Sequence, residues 1–277
     1  MPRRAFTRGH RVNKIYRIDD KEYFGPSYND YISKSRLFKF AKDPVAFFTK
    51  DEDDYDPNKE YLVRGSALHK FLLEGEEEFF KEYTVADVIN PRTGRSYGRA
   101  TKAFQEYCEE NDLSPPFTIS SEMLGHIKVM SETVLAHPTA GNYLRDYIDN
   151  VEVVLRGEFE GLPAQGKVDG LSTNHNLIID IKTCRSLDLF AKNFYEYGYD
   201  WQAALYSELY QQAFGNIPDF IFIAITTEGE PYCLTVDSRQ YYNADRIAYM
   251  RYVADVYKRC IKTEDYRLAL FELAEGF

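Results

Sequence analysis

The segment Leu177-Ile178-Ile179-Asp180-Ile181-Lys182-Thr183 restricts what this chain can fold into more than any other stretch. It is apolar enough to be a strand covered on both faces, yet Asp180 and Lys182 interrupt it. On a strand, residues i and i+2 point the same way, so Asp180 and Lys182 share one face while Ile179 and Ile181 fill the other. A carboxylate in such a strand is costly unless it is paired or bound to a cation. The fold must therefore supply a partner for Asp180.

The preceding residues predict where that partner comes from. VEVVLRGEFE (151–160) alternates with the period of a half-buried strand, and 161–163 reads as a turn. A second strand is expected at about 164–171, then the polar turn STNHN and a third strand over 177–183. If that turn centres near Asn174, Asp169 and Asp180 lie almost opposite each other across the hairpin, where Cβ atoms are about 4.5–5.5 Å apart. Two carboxylates so close repel each other unless a proton or a divalent cation neutralises them. With Lys182 alongside, the set becomes two oxygen ligands and a cationic group, a combination suited to Mg²⁺. The same residues could equally form an ordinary Asp–Lys ion pair on a hairpin, and spacing alone does not separate the two readings.

Elsewhere the chain reads as mostly helical. Ser33 is placed to cap a helix through SRLFKFAKD, with a break at Pro44. Leu68, Phe71 and Leu72 share a face of a helix beginning near Arg64, and NPRTGRSYG (90–98) is turn-rich. Residues 99–147 read as helical with a break near 114–116. After the hairpin come a helical region over about 187–214, bent at Gly198 with Asp200 as a second N-cap, strands at 219–227 and 231–237, and a terminal helix over about 238–262. This order predicts an α/β fold with a mixed central β-sheet flanked by helices. No repeat or linker divides it. A single domain is expected over 29–277, with the hairpin at about 164–183, behind a basic N-terminal arm over 1–28. The first 17 residues of that arm carry Arg3, Arg4, Arg8, Arg11, Lys14 and Arg17 and no acid. Such an arm is either a solvated tail or a segment that touches nucleic acid or a neighbouring subunit.

Composition excludes several classes. Cys108, Cys184, Cys233 and Cys260 are irregularly spaced, with no C-x-x-C pair, which argues against a zinc ribbon, an iron–sulfur cluster and a disulfide framework. They read as reduced, mostly buried thiols. No apolar run approaches the roughly 18 residues of a membrane span. No apolar stretch follows the basic N-terminus, so a cytoplasmic location is expected. The net charge of −10 runs against a nucleic-acid-binding surface. Acid is concentrated in DEDDYD (51–56) and EGEEE (74–78), however, so distribution can matter more than the sum.

The motifs together resemble the PD-(D/E)XK nuclease superfamily. V-D-G-L around Asp169, ten residues, and I-I-D-I-K-T around Asp180 and Lys182 are similar to its second and third motifs. Val168 stands where a proline usually precedes the first aspartate. Gly65-Ser66-Ala67-Leu68-His69 resembles the G-x-A-x-H helix of RecB-like and RecE-type exonucleases. Gln202 and Tyr206 in W-Q-A-A-L-Y match their Q-x-x-x-Y motif, and ISKSRLFKFAKDPVAFF is similar to the start of the RecE-type domain.

The resemblance implies that His69, Asp169, Asp180 and the Ile181 backbone carbonyl hold the metal, Mg²⁺ with Mn²⁺ able to substitute. Asp169, Asp180 and Lys182 would carry the chemistry, and Gln202 and Tyr206 would lie near the DNA strand or support the lysine. By the same resemblance the chain would be a RecE-like exodeoxyribonuclease of phage or prophage type. It would resect double-stranded DNA ends, 5′ to 3′, in a bacterial cytoplasm. Its expected partners are a single-strand annealing protein in recombination and further copies of itself in a DNA-threading ring. Three other readings compete: a structure-specific or nicking endonuclease of the same superfamily, a catalytically silent DNA-binding module, and a hydrolase of small phosphates.

Overall fold

A computed structural model describes residues 15–49, 56–263 and 265–274. Arg3, Arg4, Arg8, Arg11, Lys14 and most of the acidic run at 51–56 lie outside the described residues.

The architecture is three layers, helices on both faces of a six-stranded sheet. Its strands are β1 (Ile15–Tyr16), β4 (Asn150–Phe159), β5 (Leu162–Ser172), β6 (Leu177–Cys184), β7 (Asp219–Thr226) and β8 (Cys233–Asp237), adjacent in that order. Only β6 and β7 pair parallel within this sheet, so it is mixed, as expected. Two short strands, β2 (Thr84–Val85) and β3 (Thr118–Ile119), pair separately in parallel. Ile15 and Tyr16, inside the segment read as an arm, pair with Leu155 and Val154. Ile15 and Tyr16 thus build that segment onto the sheet edge, and Asp20–Tyr23 (α1) is helical.

Local signals set the helices. Ser33 accepts a hydrogen bond from the Arg36 N–H and caps α2 (Lys34–Lys42). Asp43 caps the next turn through the Ala46 N–H, and Pro44 opens α3 (Pro44–Thr49), where its missing N–H costs nothing. α4 (Glu60–Glu82) starts four residues before the expected point and kinks at Gly75. Thr101 caps α5 (Lys102–Glu110) and Ser120 caps α6 (Ser121–Ala136), with α7 (Pro138–Asn142) following. Ser186 caps α8 (Leu187–Lys192), and α9 (Tyr199–Phe214), α10 (Ala244–Thr263) and α11 (Arg267–Ala274) complete the chain. Gly198, with φ 63, turns the chain into α9 at a point where a Cβ would lie 2.8 Å from the Phe38 ring. Asp200 is not the cap expected of it. It is buried in the first turn and paired with Arg246 of α10 at 2.6 Å.

Two cores lie on opposite faces of the sheet. β7 shows why: Phe220, Phe222 and Ala224 face the core built with α2, α9 and α10, whereas Ile221, Ile223 and Ile225 face the core built with α4 and α6. β6 divides likewise, Ile178 to the first core and Leu177, Ile179 and Ile181 to the second. Strands covered on both faces read as near-continuous apolar runs. Against that background a polar side chain on β6 has no route to bulk water except past the strand end.

Candidate active site

Four elements converge at the C-terminal end of β6. Gly65 lets α4 run close to β6: a Cβ there would already touch Thr183 Oγ1 at 3.6 Å. One turn on, His69 therefore reaches the β6 backbone. Its Nε2 lies 3.0 Å from the Ile181 carbonyl, and since a carbonyl only accepts, Nε2 is the donor. Its Nδ1 lies 3.6 Å from Asp169 Oδ1.

The β5–β6 ladder pairs Ser172 with Leu177, Leu171 with Ile178 and Gly170 with Ile179. Continued by one residue, that register sets Asp169 opposite Asp180, as the turn position predicted. There, however, a side chain replaces the ladder: Asp169 Oδ2 accepts from the Ile181 N–H at 2.7 Å. The two carboxylates are opposed in register but turn to different neighbours. Asp169 turns toward His69 of α4, whereas Asp180 Oδ1 accepts from Gln202 Nε2 of α9. An interstrand hydrogen bond pulls Asp169 to Ile181, and a helix amide pulls Asp180 the other way.

Asp180 is 2% exposed. Lys182 Nζ lies 2.6 Å from its Oδ2, an ion pair at hydrogen-bonding distance. Burial works to lower the Lys182 pKa, but the Asp180 carboxylate foremost, with Tyr199 and Asp169, overcomes it and holds the ammonium up at about 12. The ammonium also lies 5.1 Å from the centre of the Tyr199 ring. Asp169 is pushed up to about 7, chiefly by burial and further by Asp180 and Glu152, against the opposing pull of His69. A second lysine, Lys34 of α2, donates to the Tyr197 carbonyl, and burial with the nearby Lys182 charge brings it down to about 8.

Gln202 and Tyr206 share a face of α9, as their spacing predicted. Gln202 donates to Asp180. The Tyr206 ring packs against β5, where a Cβ on Gly166 would fall 2.3 Å from it, and burial pushes its phenol well above the ordinary value. Glu74, Glu160 and His175 have partners of their own outside this cluster. Glu74 pairs with Lys70, Glu160 with Arg251, and His175 packs edge-on against Tyr147. The four cysteines are free thiols, two of them buried.

Sequence reasoning missed Glu152. Ligand atoms of His69, Glu152 and Asp169 all lie within 4.8 Å of one another. In V-E-V-V the residue looks like the solvent side of an alternating strand, and nothing in the sequence marks it.

These groups fit a divalent cation. One nitrogen and two carboxylate oxygens, from His69, Glu152 and Asp169, converge within 4.8 Å of one another, a donor set that a hard divalent cation accepts. The His69 imidazole and the Ile181 carbonyl that its Nε2 meets are both groups that a cation could take.

Comparison with known proteins agrees with the fold. A family profile described as a PDDEXK-like domain of unknown function (DUF3799) matches residues 33–266. The crystal structure of a protein from Eubacterium rectale, provisionally named an exonuclease, superposes with a TM-score of 0.53 at 14% identity, covering 95% of this chain and 88% of that one. No curated protein matches the sequence. Among the described residues no helix is long and apolar enough to cross a membrane.

Proposed function

This chain belongs to the PDDEXK-like family matched over residues 33–266, and on that premise we propose that it is a metal-dependent deoxyribonuclease that resects double-stranded DNA ends. The observation that carries the reading is the meeting of His69, Asp169 and the Ile181 backbone beside a buried Asp180–Lys182 pair.

In this proposal His69, Asp169, Asp180 and the Ile181 carbonyl hold the cation, Mg²⁺ or Mn²⁺. When bound, it supplies a Lewis acid that polarises the scissile phosphate and lowers the pKa of water. The chain's own residues do the rest. Lys182 stays protonated up to about pH 12, so it acts by charge and hydrogen bonding, steadying negative charge that develops on the phosphate, and not as a base. Gln202 fixes the Asp180 carboxylate, which in turn holds Lys182 in place. Tyr206 packs on Gly166 and keeps β5 seated against α9.

The finer reading is a RecE-like enzyme acting 5′ to 3′. It would work in a bacterial cytoplasm, as a ring of several copies, and supply single strands to an annealing partner. Its support is the G-x-A-x-H helix and the Q-x-x-x-Y helix, whose His69 and Gln202 reach neighbouring residues of β6, Ile181 and Asp180. A test labels the two ends of a linear duplex separately and follows release with Mg²⁺ present. Early loss of the 5′ label as small products, with circular duplex untouched, is expected. Cleavage of circular duplex would replace the exonuclease with an endonuclease of the same superfamily. Binding without cleavage would leave only a DNA-binding module.

A further inference from the structure

Glu152 is the third residue of β4, between the pairs Val151–Gly170 and Val153–Val168. Continued between those pairs, the register sets it opposite Asp169, yet no pair forms there. Its backbone is left-handed instead, with φ 51. That conformation is rare for a residue with a side chain, and inside a strand it also gives up ladder hydrogen bonds. Such outliers persist only where the surroundings over-determine them, and they concentrate at ligand sites.

The distortion places a carboxylate at the centre already described. A Glu152 oxygen lies within 4.8 Å of both the His69 and Asp169 ligand atoms. Its Oε2 is 2.5 Å from Lys167 Nζ, on the strand facing it. Lys167 is therefore the monovalent counter-charge that lets Glu152 and Asp169 sit so close. A divalent cation between His69 and Asp169 would neutralise both acids more strongly than one ammonium does.

We infer that Glu152 is a further ligand of the divalent cation, held by Lys167 until that cation binds. This rests on the metal-centre reading above and adds to it a residue that the motifs do not contain. Glu152 would then hold the cation together with His69 and Asp169, and Lys167 would compete with the cation for it.

The test is titration of the full-length protein with Mn²⁺ in the absence of DNA, read by calorimetry and by loss of the free Mn²⁺ electron-spin resonance signal. Glu152→Gln should weaken binding by at least about tenfold, since even outer-shell partners are worth about 10–100-fold. Lys167→Gln should bind Mn²⁺ as tightly as wild type or tighter. Glu152→Gly suits the left-handed backbone, so it should fold at least as stably and still bind weakly. Mn²⁺ affinity within twofold of wild type in both Glu152 variants, with Asp169→Asn impaired, would overturn the role of Glu152 alone. Equal binding by wild type and Asp169→Asn would overturn the metal centre and the inference together.

Discussion

The carboxylate of Asp169 accepts a 2.7 Å hydrogen bond from the backbone N–H of Ile181, one residue past the end of the ladder that joins their strands. A side chain thus finishes a β-hairpin, and in doing so it presents the Ile181 carbonyl to His69 on the other side of the same residue. The relationship ties the fold to the site: the group that closes the hairpin is the group proposed to hold the cation.

Asp169 gives the metal-free protein a pH dependence. Its pKa is raised from an ordinary 3.8 to about 7. The stability it contributes is therefore full below about pH 4 and lost as pH rises through about 7. Melting temperature in a chelator should fall across that window, and Asp169→Asn should flatten this part of the curve. Cation binding must displace the proton, so apparent Mn²⁺ affinity should rise with pH up to about 7 and then level. Calorimetry in buffers of different ionisation enthalpy measures the proton released.

Gln202→Ala should damage both stability and rate. It removes the amide donor from a carboxylate that is 2% exposed. An unsatisfied buried group costs about 1–3 kcal/mol, and more when charged. Denaturant unfolding should register that loss. Nuclease activity should fall further than Mn²⁺ affinity does, because Asp180 then holds Lys182 less firmly.

Gly166→Ala tests the packing that supports the site. A Cβ there would stand 2.3 Å from the Tyr206 ring, so ring or strand must shift. Overpacking of this kind costs about 1–3 kcal/mol. A Gly166→Ala, Tyr206→Leu double variant should recover part of the loss in thermal unfolding, because the ring that clashes is gone.

An imidazole among oxygen ligands favours Mn²⁺ over Mg²⁺. Competition titrations should show tighter Mn²⁺ binding in wild type, and His69→Ala should narrow the gap while weakening both. Near-normal cation binding and cleavage in His69→Ala would remove His69 from the ligand set.

Much of this site was legible beforehand because β-hairpin register is discrete. The turn STNHN fixes which residues oppose each other, so Asp169 and Asp180 could be matched before any coordinates. Helical spacing likewise put Gln202 and Tyr206 on one face. What register does not carry is rotamer choice and local distortion. The turning of Asp169 to Ile181 and of Asp180 to Gln202 depends on α4 and α9, which come from distant sequence. Glu152 stayed hidden because its left-handed backbone follows from its tertiary surroundings, whereas V-E-V-V by pattern is an ordinary strand. The ladders of β1 and of β2 with β3 are two residues long, too short for any periodicity to register.

The most direct test of the central claim compares degradation of linear duplex DNA by wild type with that by Asp180→Asn and Lys182→Ala, in Mg²⁺ and in chelator. The account predicts degradation by wild type only with the cation. Both variants should lose it by at least about 100-fold, in line with the loss of a charge-stabilising group, while melting cooperatively. Intact duplex after incubation with wild type that binds both Mn²⁺ and DNA would contradict it, as would undiminished cleavage by the two variants.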